Sequence, residues 1–119
     1  MTAEARKFER APIPLDAQYR RLSEIGPWQP TRVIDVSAMG MRCQVQEQVE
    51  VEETIQLKLQ LPTTQESLEV SGVVRRQQTE GGAMTIGVEF IDLTPGQQAA
   101  IDAMVQFLGK RYPPTSFTP

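Results

Sequence analysis

Apolar and polar residues alternate along most of this chain, and the period changes once, near the C-terminus. From Ile13 the apolar positions are Ile13, Leu15, Ala17 and Tyr19, a period of two that predicts a half-buried strand. Gly26-Pro27-Trp28-Gln29-Pro30 is a turn cluster. Thr31 to Val36 and Gly40 to Val45 follow as two short strands. Thr54 to Leu61 alternates most cleanly, with Ile55, Leu57, Leu59 and Leu61 on one face and Gln56, Lys58 and Gln60 on the other. Ser67 to Arg76 is a further strand. Glu80-Gly81-Gly82 supplies a hairpin turn, since glycine tolerates positive φ. Met84, Ile86, Val88 and Phe90 then line one face of the returning strand.

At Thr94 the period lengthens. Thr94-Pro95-Gly96-Gln97 predicts a helix start, with Thr94 as N-cap, Pro95 at the first helical position and Gln97 completing a capping box. Ile101, Met104, Val105 and Leu108 form one apolar stripe, and Gly109 is the expected stop. Six or so antiparallel strands followed by one helix suit a closed or nearly closed barrel, which leaves no exposed edge, with the helix over one opening.

The expected organisation is a flexible N-terminal arm over 1–11, a β-barrel with its helix over 12–109 and a Pro-rich tail over 110–119. A length of 119 residues suits one domain. Gln46 to Glu53 holds Glu47, Glu50, Glu52 and Glu53 without a base and reads as a solvated acidic loop.

Composition narrows the function classes. The net charge of −3 and pI near 5.0 argue against a general nucleic-acid binder, which needs many basic phosphate contacts. The aromatic content, 6%, is low for a single-strand stacking groove. With no histidine and one cysteine, Cys43, the Ser/His/Asp and Cys/His constellations, the common zinc sites and intrachain disulfides are excluded. Cys43 alternates with Met41 and Val45 and reads as a core thiol. No apolar run nears the ~20 residues of a membrane span, so no direct membrane insertion is expected. Met1 to Arg10 lacks a signal-peptide core, which makes the cytoplasm the default location. No nucleophile–base pair accompanies Asp35, and an enzyme is not expected.

Two motifs carry chemistry. Arg6-Lys7-Phe8-Glu9-Arg10 is an R-x-x-x-R on the arm, and Asp35-Val36-Ser37-Ala38-Met39-Gly40 is a D-x-S-x-x-G between two short strands. Each alone is weak, and the second also reads as a β-turn in which Asp and Ser bond nearby backbone and Gly supplies positive φ. Together, in this order and about 25 residues apart, they resemble the PilZ family. Val73-Val74-Arg75 and Gly87-Val88-Glu89-Phe90 resemble two further strands of that family, and a terminal helix follows them.

The resemblance implies a six-stranded antiparallel barrel and a bacterial receptor for cyclic di-GMP, with no cofactor. It implies a site built from Arg6, Arg10, Asp35, Ser37 and Gly40, with Lys7 and Arg75 as secondary candidates. The chemistry fits: an arginine fork matches phosphate oxygens or the guanine O6/N7 edge, and a carboxylate accepts from guanine N–H donors. Gly40 would let a base approach the backbone. Family members often carry another arginine directly before the R-x-x-x-R. Ala5 stands there in this chain, which leaves open one or two ligand molecules per site. With the arm so near the start and no upstream domain expected, the signal would pass to a separate partner, in flagellar, pilus or exopolysaccharide machinery controlling motility or biofilm. The alternative is a PilZ-like interaction adaptor, as in type IV pilus assembly, that does not bind the nucleotide. Arg75 and Arg76 also read as an exposed strand-end pair, and Trp28 as a loop anchor packed on the barrel.

Overall fold

A computed structural model describes residues 15–23 and 26–111. Six strands follow one another: β1 (Asp16–Arg21), β2 (Gln29–Val36), β3 (Gly40–Val45), β4 (Thr54–Gln60), β5 (Ser67–Glu80) and β6 (Ala83–Ile91). A single helix, α1 (Pro95–Arg111), completes the described chain. The strands close a barrel in the order β1-β2-β3-β6-β5-β4, with every pairing antiparallel. The expected six-stranded barrel with one helix is the observed fold. The expected arm over 1–11 and the strand start at Ile13 lie outside the described residues.

Alternation fixes which side of each strand is buried, because successive side chains point to opposite faces. Tyr19, Val33, Cys43, Ile55, Leu57, Leu59, Val74 and Ile86 point inward into one continuous core. Burial pushes the Cys43 thiol up to about 11, so it stays protonated and behaves as a small apolar group. The helix stripe Ile101, Met104 and Leu108 joins the same core.

The capping box forms as expected. The Gln97 amide donates to Thr94 Oγ1 at 3.0 Å, and the Thr94 amide donates to Gln97 Oε1 at 2.8 Å. Gln97 Nε2 also donates to the Glu69 carbonyl, and Gln98 Nε2 to the Ala38 carbonyl, at 3.0 and 3.2 Å. These bonds fasten the start of α1 to β5 and to the β2–β3 turn, at the rim where β3 and β5 begin. The helix does not stop at Gly109 but continues to Arg111. Glycine at a helix interior costs only ~1 kcal/mol relative to alanine, and the buried Leu108 beside it holds the last turn.

Two further differences have physical causes. β2 begins at Gln29, with Pro30 opposite Gln18 on β1, so the expected turn cluster is shorter than its composition suggests. β5 runs four residues beyond Arg76 because β6 pairs with it as far as the turn, although Gln77, Gln78 and Thr79 bury nothing. Gly81 and Gly82 take φ of 58° and 83° in that turn.

The acidic segment is not a free solvated loop. Val49 is fully buried, Tyr19 Oη donates to Glu47 at 2.5 Å, and Arg21 grips Glu53 through Nε and a terminal nitrogen at 2.5 and 2.9 Å. Arg21 holds the Glu53 carboxyl below its ordinary value, and burial followed by the Glu47 bond pushes the Tyr19 phenol up. Cations from another strand neutralise this run, which local composition cannot reveal. Trp28 is an anchor on the barrel, with Arg20 and Lys58 4.4 and 4.7 Å from its ring centre.

Leu57 is fully enclosed. Leu57→Ala should cost about 2–5 kcal/mol in urea denaturation. A loss below about 1 kcal/mol would show that the barrel centre can collapse around the gap.

Candidate functional site

The D-x-S-x-x-G motif is the β2–β3 hairpin, turning at Ala38 and Met39. The Ser37 amide donates to the Gly40 carbonyl at 2.8 Å. Ser37 Oγ accepts from the Met39 and Gly40 amides at 3.2 and 3.3 Å and reaches the Gly40 carbonyl at 3.3 Å. The hydroxyl is therefore used within the turn. The Phe90 amide donates to the Met39 carbonyl at 2.9 Å, tying the turn to β6.

Gly40 differs in detail from expectation. It does not have positive φ. A Cβ built there would lie 2.0 Å from the Val88 carbonyl oxygen and 3.2 Å from Glu89 Cα. Both are backbone atoms of β6 and cannot rotate away. The residue must be glycine because two strands nearly touch at this point.

Asp35 lies on the outer face of β2, directly opposite Arg42 on β3. Arg42 Nε donates to Asp35 Oδ2 at 2.8 Å, and a second guanidinium nitrogen donates to the same oxygen at 2.5 Å. The bond from Asp35 strengthens the hold of Arg42 on its proton. Both bonds use Oδ2, so Oδ1 remains able to accept. Sequence reasoning missed Arg42. A two-residue turn closed by Ser37 and Gly40 forces residue 35 opposite residue 42, so the signal was present in the spacing.

The hairpin forms one side of an open cleft of about 700 Å³. That volume lies within the range of about 300–1,000 Å³ usual for small-molecule sites. Asp35, Ser37, Gly40 and Arg42 line it from one side, and Arg75, Arg76, Gly87 and Glu89 from β5 and β6. Arg75 Nε donates to Glu89 at 2.7 Å, and its Nη1 reaches both oxygens of Glu52 at 3.1 and 3.2 Å. Glu52 has φ of 76° at the end of the acidic segment, where its amide donates to the Val74 carbonyl at 2.7 Å. Met39, 71% exposed, and Val51, 43% exposed, stand at the cleft margin.

Of the expected site residues, the structure brings together Asp35, Ser37, Gly40 and Arg75. Arg6, Lys7 and Arg10 lie outside the described residues. Among the described residues no group of His, Cys, Asp or Glu could hold a metal ion, and no helix is long and apolar enough to cross a membrane.

A six-stranded barrel with a C-terminal helix and a cleft over the β2–β3 turn defines a class, and family comparison gives that class its name. The PilZ domain family model matches residues 4–107, and the chain belongs to that family. No curated protein matches it. Among solved structures, the inhibitor of motility MotI/DgrA of Bacillus subtilis superposes with a TM-score of 0.64 at 22% identity, over 86% of this chain and 47% of that one. YcgR from Escherichia coli in complex with c-di-GMP gives 0.68 at 14% identity, over 86% and 44%. The separate PilZ domain of YcgR with c-di-GMP gives 0.63 at 12% identity, over 82% and 84%. The chain thus spans less than half the length of MotI and of the longer YcgR chain. At these identities the likeness is one of fold.

Gly40→Ala should destabilise the protein by about 1–3 kcal/mol or more, because β3 and β6 must part. Gly109→Ala, with nothing within 4 Å of its added Cβ, should instead stabilise by about 0.5–1 kcal/mol. Equal effects in thermal denaturation would show that the close approach at Gly40 is not a constraint.

Proposed function

We propose that this protein is a cyclic di-GMP receptor that passes the signal to a separate protein and catalyses no reaction. The observation that supports this most is the cleft, lined by Asp35 of the β2–β3 hairpin and by Arg75 and Arg76 of β5, with a volume in the range of small-molecule sites. Family membership adds weight, as do the YcgR structures that contain c-di-GMP.

In this reading Asp35 Oδ1 accepts from the N–H edge of guanine while Arg42 keeps the carboxylate oriented. Ser37 and Gly40 hold the turn against β6, so that this edge is met by a preformed acceptor. Arg6 and Arg10 reach the ligand from the segment ahead of β1 and clamp phosphate or guanine oxygens, with Lys7 adding positive potential. The ligand joins this segment to the barrel and creates a surface of protein and nucleotide that the partner recognises. Linkage then requires the partner to tighten nucleotide binding by the same factor. The partner is proposed to belong to machinery of motility, pili or exopolysaccharide, and the site of action to be the cytoplasm.

Calorimetric titration should give a dissociation constant near 1 μM or tighter, about −8 kcal/mol. Arg10→Ala should weaken binding at least about tenfold without loss of fold, since a charge-assisted contact carries about 1.5–3 kcal/mol. Unchanged affinity in Arg10→Ala would remove the R-x-x-x-R from the site. Cyclic di-AMP should bind far more weakly, because a base with the wrong edge leaves Asp35 Oδ1 desolvated and without a matching donor. Equal affinity for the two dinucleotides would show that only phosphates are read. No heat of binding with either would favour the interaction adaptor that lacks a nucleotide.

A further inference from the structure

Arg75 and Arg76 are neighbours on one strand, yet both line the cleft. A regular strand would send them to opposite faces. The register of β5 against β6 shifts between Val74 and Arg76: Val74 pairs with Val88, and Arg76 pairs with Gly87. Arg75 is thus the extra residue of a β-bulge, a device that re-aims side chains beside sites. The acidic segment clips the bulge in place, since Glu52 donates to Val74, and Val74 to the Glu53 carbonyl, at 2.7 and 2.9 Å.

The two arginines differ in their electrostatic partners. Arg75 is shared between Glu89 and Glu52. Arg42 is neutralised by Asp35. Arg76 is exposed, and among the described residues it makes no hydrogen bond or ion pair. Its Cβ and Cγ lie 3.6 and 3.9 Å from where a Cβ on Gly87 would stand, so its stem runs close along β6. Among the described residues, Arg76 is the cleft cation that no carboxylate compensates.

We propose that Arg76, rather than Arg75, supplies the barrel's cationic contact to a phosphate of the ligand; this rests on the receptor reading above. A phosphate is an anion with oxygens that match the guanidinium fork. Engaging Arg76 breaks no ion pair. Engaging Arg75 would require Glu52 and Glu89 to release it and would bring their charges towards the phosphate. The bulge therefore separates two tasks: Arg75 holds the acidic segment against the cleft wall, and Arg76 stays available for the anion.

The test is titration of cyclic di-GMP into the unchanged chain, Arg76→Gln, Arg76→Lys and Arg32→Gln, each at low and high salt. Arg32 is exposed on β2 outside the cleft and controls for the loss of one positive charge. Arg76→Gln should bind at least about tenfold more weakly and show a smaller loss of affinity on adding salt. Arg76→Lys should recover part of the affinity. Arg32→Gln should stay within about twofold of the unchanged chain. The melting midpoint of Arg76→Gln should match that of the unchanged chain, which rules out a fold defect. Binding by Arg76→Gln within about twofold of the unchanged chain overturns the inference and leaves the receptor reading standing. Equal losses in Arg76→Gln and Arg32→Gln overturn it too, because the effect would then be one of net charge. Failure of the unchanged chain to bind overturns the receptor reading, and this inference with it.

Discussion

At Gly40 the backbones of β3 and β6 come so close that no side chain fits between them, and the geometry of the cleft depends on that approach. An added Cβ would meet the Val88 carbonyl at 2.0 Å. The Met39 carbonyl can therefore receive the Phe90 amide, and the β2–β3 turn is tied into β6 as well as closed upon itself. Gln98 at the start of α1 reaches the same turn through Ala38. A short hairpin that would otherwise be a mobile tip is held from three directions. Asp35 is presented from this fixed base, with Arg42 fixing one of its oxygens.

Electrostatics complete what packing begins. The protein is acidic overall, yet its acidic segment is mostly paired: Glu47 and Glu53 with Tyr19 and Arg21, Glu52 with Arg75. These bonds close Val49 into the core and press the segment against the bulge of β5. Because the Glu53 pKa is lowered in the folded state, the contribution of its pair is full above the ordinary carboxylate range. It is lost as pH falls through the lowered value. The same pairing leaves the cleft with local donors and acceptors and not a broad basic field.

The sequence made the barrel legible because most strands bury one face, and alternation reports such a face directly. Ile55, Leu57 and Leu59 show this, as do Met84, Ile86 and Val88. The capping box at Thr94 was equally readable because all its partners are local. What stayed hidden depends on distant partners. The outer half of β5 buries nothing and had no period to read. The acidic run looked solvated because Arg21 and Arg75 lie far from it in the chain. Gly40 was expected to relieve a turn, whereas it relieves a contact between strands. The D-x-S-x-x-G motif located one side of the cleft. Arg42 and the bulge at Arg75, which orient its charges, required the register of pairing. Arg6, Lys7 and Arg10 rest on their motif alone.

The central claim is that the barrel holds the Asp35–Gly40 turn ready before any ligand arrives. Hydrogen exchange of the free protein and of the protein with cyclic di-GMP tests this most directly. The account predicts slow exchange already in the free state for the Ser37 and Phe90 amides, which donate within the turn and to it. Ligand should add protection chiefly in residues 5–11, with little change in α1. Fast exchange at Ser37 and Phe90 in the free protein, slowed only when cyclic di-GMP is added, would contradict a preformed site.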